Sequence, residues 1–259
     1  MAYTALITGA SSGIGMELAK IHASKGGNLV LVARNKLKLA ELKSELVEKY
    51  KISVYIIVMD LSVEGSAKKV YEQTTLEKIQ IDCLINNAGF GDFGFFSQTD
   101  TDKEVGMINL NIIALTLLTK LYLKDMLDRK GGKIMNVASI AAFQPGPKMA
   151  VYSATKAYVL SFSQAICNEV RDQGVTVTAL CPGATQSGFH KAASMQDSKI
   201  FNNGNLPSSQ EVAAYGYDAM IKGKSVAISG FLNNIMADAA GFIPRNWVLK
   251  LVRKIQDAA

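Results

Sequence analysis

The feature that most constrains the fold is the regular alternation of short β-branched runs with longer amphipathic stretches. The short runs are nearly continuous in Val, Ile and Leu, as strands buried on both faces require. Because parallel strands are joined by helical crossovers, this alternation predicts right-handed βαβ units and one parallel sheet. The predicted strands are Tyr3–Thr8, Asn28–Ala33, Ser53–Met59, Asp82–Asn86, Lys133–Ala138, Val175–Cys181 and Ser225–Ile228.

The stretches between these strands carry apolar residues at helical spacing. The chain has no internal repeat or Pro-rich linker, so we predict a single α/β domain over residues 1–259, doubly wound, with helices on both faces of a seven-stranded sheet. One irregular segment, at about 186–207, is predicted to be a functional loop over the substrate. The predicted helices are Gly13–Lys25, Lys36–Lys49, Gly65–Lys78, Thr101–Asp128, Ala150–Gln173 and Ser209–Gly223.

Composition limits the classes of protein to which the chain can belong. Hydrophobic residues make up 49% of the chain and charged residues 19%, which is enough apolar material for a large core. Lys and Arg outnumber Asp and Glu by 28 to 22. The basic residues are nevertheless spread along the chain rather than clustered, so no nucleic-acid partner is expected.

The cysteines and the hydropathy pattern bear on location. Cys83, Cys167 and Cys181 form no C-x-x-C pair, so we expect neither a disulfide framework nor a metal site. Reduced thiols are typical of cytoplasmic proteins. No basic leader with a cleavage site is apparent, and no uninterrupted apolar stretch approaches the ~20 residues of a membrane-spanning helix. We therefore expect a cytoplasmic protein.

A glycine-rich turn follows the first strand. Gly9, Gly13 and Gly15 are spaced G-x-x-x-G-x-G and lead into a helix. Small residues there let backbone amides approach a phosphate at the positive end of the helix, so the turn predicts a dinucleotide site. The alternative is an ordinary strand-to-helix turn, for which Gly and Ser are also common.

The same turn also fits the G-x-S-x-G pattern of a hydrolase nucleophile, with Ser11 in the central position. Such hydrolases need strands and an oxyanion loop before the serine, whereas only ten residues precede Ser11. His190 is the one late candidate for a base, since His22 falls on the buried side of the first helix. A serine hydrolase is therefore kept as a remote alternative.

The end of the second strand bears on the choice of cofactor. An acidic residue that binds the adenine ribose is expected ~20 residues after the glycines, but this position holds Arg34, and no acid lies between Glu17 and Glu41. A guanidinium suits a 2′-phosphate, which a carboxylate would repel. The sequence thus favours NADP(H) over NAD(H), with a solvated arginine at the strand end as the alternative.

Two further positions predict acid–base chemistry. Tyr152 and Lys156 lie four residues apart at the start of a helix, which places the ammonium beside the phenol. Attraction at ~4 Å with a dielectric constant of ~20 is worth ~4 kcal/mol, which lowers the pKa of a phenol by up to ~3 units before desolvation. Ser139 follows an apolar strand, so its hydroxyl is predicted at the carboxyl edge of the sheet, where ligands bind. Separately, each feature also fits a surface ion pair or a turn-forming serine.

In order and spacing, these motifs resemble the short-chain dehydrogenase/reductase family over nearly the whole chain. Thr8–Gly15 is similar to its cofactor turn, Asn86–Gly89 to its strand-four motif, and Ser139, Tyr152 and Lys156 to its active-site set. The resemblance implies a Rossmann fold and NAD(P)(H)-dependent oxidation or reduction at a carbonyl or alcohol centre. It does not fix the substrate.

The resemblance also implies roles for individual residues. Asn111 matches the fourth catalytic position, an asparagine that holds a water in a proton relay with the lysine. Asn109, two residues earlier, is the alternative residue for this position, and a capping or interhelical hydrogen bond is the alternative role. The motif after strand six reads Pro182-Gly183-Ala184-Thr185-Gln186-Ser187 where the family commonly has Pro-Gly-x-Val-x-Thr. The implied cofactor contacts, besides the glycines, Arg34, Tyr152 and Lys156, are Ser11, Ser12, Ile14, Asp60, Leu61, Asn87, Ala88, Gly89, Pro182, Gly183, Thr185 and Ser187.

Substrate and assembly are less constrained. Aromatic residues in Phe90–Phe96 favour an apolar carbonyl or alcohol substrate, or else complete the core. The amphipathic segment Pro244–Ile255 is predicted to pack on the domain or a second subunit, with a peripheral membrane contact as the weaker alternative. The resemblance implies a homodimer or homotetramer through the helices Thr101–Asp128 and Ala150–Gln173. A cofactor-binding sensor or scaffold without turnover is the second function class.

Overall fold

A seven-stranded parallel sheet runs through the computed structural model, which describes residues 3–186, 206–240, 247–250 and 252–253. Its strands are β1 (Thr4–Thr8), β2 (Asn28–Ala33), β3 (Val54–Val58), β4 (Cys83–Asn86), β5 (Gly132–Val137), β6 (Val175–Cys181) and β7 (Val226–Ile228). The strand order is β3-β2-β1-β4-β5-β6-β7. All seven predicted strands and the doubly wound topology are confirmed, with ends that differ by one residue at most.

Helices cover both faces of the sheet, and two differ from the prediction. The predicted single helix from residue 101 to residue 128 is interrupted by a π-helical segment, Asn109–Ala114. A helix after β7 was not predicted, because four of its first six residues are apolar and give no clear period. The helices are α1 (Gly13–Ser24), α2 (Lys36–Tyr50), α3 (Ser66–Leu76), α4 (Thr101–Ile108), α5 (Leu115–Asp128), α6 (Ala150–Val170), α7 (Ser209–Ile221) and α8 (Phe231–Ala240).

Alternate residues of each strand point into two hydrophobic layers, one on each face of the sheet. In β1, Ile7 points to the layer formed with α1, α2 and α7, where it lies with Leu18 and Leu39. Its neighbour Leu6 points to the opposite layer, which contains Leu118 of α5. These residues are fully buried or nearly so, and such burial contributes roughly 1.5–3 kcal/mol per large side chain. Burial on both faces is the reason that the strands are apolar throughout.

The helical run Thr101–Asp128 is long and apolar enough to cross a membrane, with a mean hydropathy of 1.5 over its best window. The run meets this criterion by its average hydropathy and is not an uninterrupted apolar stretch, since it contains Asn109, Asn111 and Lys120. Leu118, Tyr122 and Met126 of this run nevertheless pack on the sheet as core residues. Core helices satisfy the same criterion, so it is weak evidence for a membrane span.

The strand order reverses between β1 and β4, which are adjacent although β2 and β3 lie between them in the chain. In open α/β sheets, ligands bind outside the carboxyl ends of the strands at such a switch point. The glycine turn after β1 and the Asn87–Gly89 loop after β4 both begin there. The predicted loop at 186–207 lies outside the described residues except for Gln186, Leu206 and Pro207.

Candidate active site

The glycine turn lies directly against the loop that follows β4. Gly9 has a φ of +67°, and a Cβ there would lie 2.9 Å from the Cα of Ala88. A Cβ on Gly15 would lie 2.4 Å from Nδ2 of Asn87 and 2.5 Å from the carbonyl oxygen of Gly9. Only glycine fits both positions, because real Cβ atoms do not approach other atoms this closely.

Side chains from two strand ends hold this turn in place. The hydroxyl of Thr8 accepts hydrogen bonds from the backbone N–H groups of Asn87 (3.0 Å) and Ala88 (2.9 Å). The side chain of Asn87 in turn donates to the carbonyl oxygen of Thr8 at 2.9 Å. These bonds fix the glycine turn relative to β4, so the two cofactor motifs predicted from the sequence meet at one place.

The start of α1 fits an anionic ligand. Ser12 occupies the N-cap position, yet its side chain makes no capping hydrogen bond, and the first turn contains no acidic residue. The first N–H groups of the helix, including those of Gly13 and Ile14, therefore face a site without a capping carboxylate or hydroxyl. Together with the close approach at Gly9 and Gly15, this donor set fits a pyrophosphate group.

The predicted adenosine contacts also come together. Leu61 and Ala88 lie around one small recess with Thr8 and Leu110. Arg34 and Asp60 follow the neighbouring strands β2 and β3, and their side chains form an exposed ion pair with a distance of 3.5 Å. Asp60 also accepts hydrogen bonds from Ser62. Partial burial raises the pKa of Asp60, but the bonds from Ser62 and the charge of Arg34 outweigh it and lower this pKa.

Tyr152 and Ser139 meet at the carboxyl end of β5. Ser139 lies two residues beyond the strand, and its Oγ accepts the N–H of Ala141 at 3.1 Å in the 3₁₀ turn Ile140–Phe143. Burial raises the pKa of Tyr152 to about 12, opposed by a side-chain hydrogen bond with Ser139. The phenol therefore carries its proton at neutral pH and shares a hydrogen bond with the serine hydroxyl.

Lys156 is buried close to the Tyr152 ring. Its Nζ donates to the carbonyl oxygen of Val137 at 2.8 Å and lies 5.9 Å from the centre of the Tyr152 ring. Burial also lowers the pKa of Lys156 itself, to about 8, and nearby Cys181 opposes this shift. The expectation that Lys156 lowers the pKa of Tyr152 is wrong for this structure, because desolvation of the phenolate raises this pKa and the opposing effect comes from the hydrogen bond with Ser139.

The burial of Lys156 gives a prediction about stability. Its pKa of about 8 lies below the ordinary value of 10.5, so at pH 7 the folded protein bears the cost of a buried ammonium. We expect Lys156→Met to raise the free energy of unfolding at pH 7 by about 1–3 kcal/mol. This figure already subtracts the lost hydrogen bond to Val137. Between pH 8 and 10.5 the unfolded chain binds more protons than the folded protein, so the free energy of unfolding of the wild type rises with pH. The advantage of Lys156→Met over the wild type therefore shrinks in this range.

Urea unfolding of both proteins at pH 7 and pH 10 measures this effect. Lys133→Met is a matched control, since the partly exposed Lys133 also donates to a backbone carbonyl, that of Ile221. The control should show no gain in stability at pH 7. Equal stabilities of wild type and Lys156→Met at both pH values would contradict the predicted burial cost.

Asn111, rather than Asn109, faces this site. It is 1% exposed, and its side chain bonds to both backbone polar groups of Phe90, accepting from N at 3.3 Å and donating to O at 3.0 Å. A Cβ on Gly89 would lie 2.9 Å from Oδ1 of Asn111 and 3.4 Å from Nζ of Lys156. The predicted relay amide and lysine therefore flank one point of the β4 loop, whereas Asn109 is only partly buried.

The loop after β6 borders the same region. The carbonyl oxygen of Pro182 accepts the N–H of Ile140 at 2.9 Å, which ties this loop to the turn after Ser139. Thr185 is buried and its hydroxyl donates to the carbonyl oxygen of Gly183 at 2.9 Å. Ser187 lies outside the described residues, so its predicted contact stays a prediction.

A small cleft opens beside Tyr152. Phe96, Met107 and Met149 form its apolar part, and Asp92, Glu104 and Lys148 form its charged part. Of the predicted Phe90–Phe96 segment, Asp92, Gly94 and Phe96 line the cleft. The ion pair between Asp92 and Lys103 at this wall was not predicted, because partners that lie eleven positions apart across a loop form no periodic pattern. Asp92 is 9% exposed, so its charge is compensated inside the cleft wall.

The hydrolase alternative gains no support from the described histidine. Nδ1 of His22 is hydrogen-bonded to the hydroxyl of Tyr217 and Nε2 to the carbonyl oxygen of Tyr3, both at 3.0 Å. Burial lowers the pKa of this imidazole. Nδ1 thus joins α1 to α7, Nε2 joins α1 to the residue before β1, and His190 lies outside the described residues.

Sequence comparisons agree with this geometry. Residues 3–198 match the family model for short chain dehydrogenases. The human very-long-chain 3-oxoacyl-CoA reductase is 36% identical over 183 residues, which cover 69% of this chain. The human inactive hydroxysteroid dehydrogenase-like protein 1 is 35% identical over 195 residues, or 74% of this chain. The chain spans 58% and 56%, respectively, of the length of these two relatives.

Solved structures give the same picture. A short-chain dehydrogenase from Sphingobium yanoikuyae in complex with NADPH is 30% identical, with a TM-score of 0.82 and coverage of 94% of this chain and 97% of that chain. A bulky-bulky ketone specific alcohol dehydrogenase from Comamonas testosteroni is 32% identical, with a TM-score of 0.79 and coverage of 92% and 91%. Both likenesses extend over nearly the whole chain.

Proposed function

The chain belongs to the short-chain dehydrogenase family of oxidoreductases, and we propose that it reduces the carbonyl group of an apolar substrate to an alcohol with NADPH. The observation that carries this proposal is the burial of Ser139, Tyr152 and Lys156 at the carboxyl end of the sheet, with Nζ of Lys156 beside the Tyr152 ring and beside the β4 loop that contacts the glycine turn. The 3-oxoacyl-CoA reductases among the relatives support the reductive direction.

In the proposed mechanism, Ser139 and Tyr152 hold the substrate oxygen between their hydroxyl groups. When bound, NADPH supplies the hydride that reaches the carbonyl carbon. The hydroxyl of Ser139 stabilises the negative charge that develops on the oxygen, and Tyr152 donates its proton to it. Lys156 and Asn111 then lie where a proton can be returned to the phenol. Gly9–Gly15 and Asn87–Gly89 would hold the pyrophosphate and ribose groups.

Arg34 is proposed to select NADPH over NADH. Its guanidinium is exposed just beyond the end of β2 and pairs with Asp60 only weakly, so a 2′-phosphate can take its hydrogen bonds. We expect Arg34→Ala to raise the Kd for NADPH by about 10-fold to 100-fold and to leave the Kd for NADH nearly unchanged. Fluorescence titration with each cofactor measures both constants.

Arg171→Ala is the matched control for Arg34→Ala. Arg171 is also exposed and also forms a weak ion pair, with Asp172 at 3.4 Å, but it lies just beyond the end of α6 that is distant from Tyr152. This variant should bind both cofactors like the wild type. A parallel loss of NADPH and NADH affinity in Arg34→Ala would argue against a role in choosing between them.

The substrate class is proposed from the cleft and from the relatives. The apolar lining by Phe96, Met107 and Met149 suits a hydrophobic chain or ring next to the carbonyl. The printed names of the relatives indicate 3-oxoacyl thioesters and bulky ketones as the first compounds to test. The deciding experiment is a substrate screen with these compounds and small hydrophilic ketones, run with both NADPH and NADH.

A second candidate function is a cofactor-binding sensor or scaffold without turnover. It is favoured by one observation, the similarity to relatives that are named inactive. This chain nevertheless has Asn111, Ser139, Tyr152 and Lys156 together at one site. A protein that binds NADPH but oxidises it with no member of the carbonyl panel would support the sensor function instead.

We also propose that the protein is cytoplasmic and forms a homodimer or homotetramer through the two long helical runs. Val105, Ile108, Ile113 and Leu117 are between 39% and 50% exposed on the outer side of the α4–α5 run. An apolar face of this length is typical of an interface between subunits. Light scattering of the purified protein gives the mass, and a monomer at micromolar concentration would contradict this proposal.

A further inference from the structure

We propose that Thr155 is a positioning residue for the reduction, whose hydroxyl fixes Asn111 relative to the helix turn that carries Tyr152 and Lys156. This inference rests on the proposed reductase function. Thr155 lies immediately before Lys156 in α6 and is 1% exposed. Its side chain therefore acts through neighbouring protein groups, and these neighbours belong to the candidate active site.

The hydroxyl of Thr155 is the donor in one hydrogen bond and the acceptor in another. It donates its proton to the carbonyl oxygen of Tyr152 at 2.8 Å, and its oxygen accepts from Nδ2 of Asn111 at 3.1 Å. A hydroxyl has one proton and two lone pairs, so these bonds use the donor and one acceptor position. A single oxygen atom thus connects the relay amide to the backbone of the residue that donates the proton.

The other bonds of Asn111 show why this connection matters. Both amide atoms also bond to the backbone of Phe90, which holds the side chain on the β4 loop. Among the described residues, the hydrogen bond to Thr155 is the one that joins the Asn111 side chain to α6. Asn111 itself lies in the π-helical segment, and π turns inside α-helices occur frequently at functional sites.

Removal of this hydroxyl should therefore allow the distance between the Asn111 amide and α6 to vary. Without it, the second N–H of the Asn111 amide has lost its acceptor, and the π-helical segment can shift relative to α6. A displacement of about 1 Å in a catalytic group can cost about 100-fold in rate, while groups that only bind cofactor are less affected. The expected signature is a lower kcat with nearly unchanged binding constants.

Thr155→Val tests the inference, because valine has the shape of threonine without the hydroxyl. We expect kcat to fall by about 10-fold to 100-fold, with the Kd for NADPH and the KM for the carbonyl substrate within about 3-fold of wild type. Thr155→Ser keeps the hydroxyl and should restore kcat to within about 3-fold of wild type. If Thr155→Val does not fold, Thr155→Ala carries the same expectation.

Ser163→Ala is the matched control on the same helix. Ser163 is fully buried, donates to the carbonyl oxygen of Val159 at 2.6 Å and accepts from Nδ2 of Asn136 at 3.0 Å, so it makes the same pair of bonds two turns further along α6. Its loss should lower the melting temperature and leave kcat unchanged. A merely structural role of Thr155 would give this same result.

These measurements distinguish failure of the proposed reductase function from failure of the inference about Thr155 alone. A wild-type protein that reduces no carbonyl with NADPH would overturn the proposed function and this inference with it. An active wild type with a Thr155→Val variant of equal kcat, measured where Tyr152→Phe is inactive, would overturn the inference alone. Failure of Thr155→Ser to restore kcat would also contradict it, since the hydroxyl is then not the group that matters.

Discussion

Replacing Tyr152 with Phe is expected to lower kcat for carbonyl reduction by at least about 1,000-fold, with the Kd for NADPH within about 2-fold of wild type. The substitution removes one oxygen atom, the proton donor, and leaves the ring that packs with Met107 and Met149. Tyr152 is the residue to which we assign this proton transfer. Stopped-flow measurement of NADPH oxidation and fluorescence titration of NADPH give the two constants.

Tyr158→Phe provides a matched control for the loss of a phenolic hydroxyl. Tyr158 lies on the same helix, is 38% exposed, and its hydroxyl pairs with that of Thr116 at 3.0 Å, away from Ser139. This variant should reduce substrate at the wild-type rate. Unchanged reduction across the carbonyl panel by Tyr152→Phe would remove the phenol from the mechanism and leave the acid–base role without a residue.

Replacing Gly15 with Ala is expected to weaken NADPH binding by at least about 100-fold and to lower the free energy of unfolding by about 1–3 kcal/mol. The added Cβ would lie 2.5 Å from the carbonyl oxygen of Gly9 and 2.4 Å from Nδ2 of Asn87. Since one neighbour is backbone, α1 must move away from the turn, which displaces the N–H groups that would bind the pyrophosphate. NADPH titration and urea unfolding measure the two effects.

Gly131→Ala separates this clash from the general effect of adding a methyl group. A Cβ on Gly131 would meet nothing closer than 3.9 Å, and its φ is not in the left-handed region. The control should bind NADPH like the wild type and unfold at nearly the same urea concentration. If Gly15→Ala binds NADPH with wild-type affinity, the glycine turn is not the phosphate site.

Most of the fold could be predicted from the sequence because its elements are local patterns. The strands β2 and β6 begin and end at the predicted residues, since each is an apolar run bounded by polar or turn residues. The π-helical segment at Asn109–Ala114 could not be predicted, because its residues have the same apolar period as the helices around it. Its contacts with Phe90 and Thr155 come from distant parts of the chain.

The candidate site was predictable in its members but not in its electrostatics. Ser139, Tyr152 and Lys156 were identified by spacing and order, and the structure brings them together. The expected effect of Lys156 on the phenol was wrong, because spacing along a helix says nothing about burial, and burial sets the direction of both pKa shifts. The choice between Asn109 and Asn111 likewise needed the depth of each side chain in the fold.

The sequence by itself determined the order of strands and helices, the glycine turn and the candidates for the acid–base residues. These depend on residues a few positions apart, where backbone geometry fixes what neighbours can do. Only the tertiary structure decided which asparagine faces the lysine, that Thr155 links Asn111 to Tyr152, and that the phenol keeps its proton. Each of these depends on water being excluded and on segments 20 or more residues apart coming into contact, which no local pattern records.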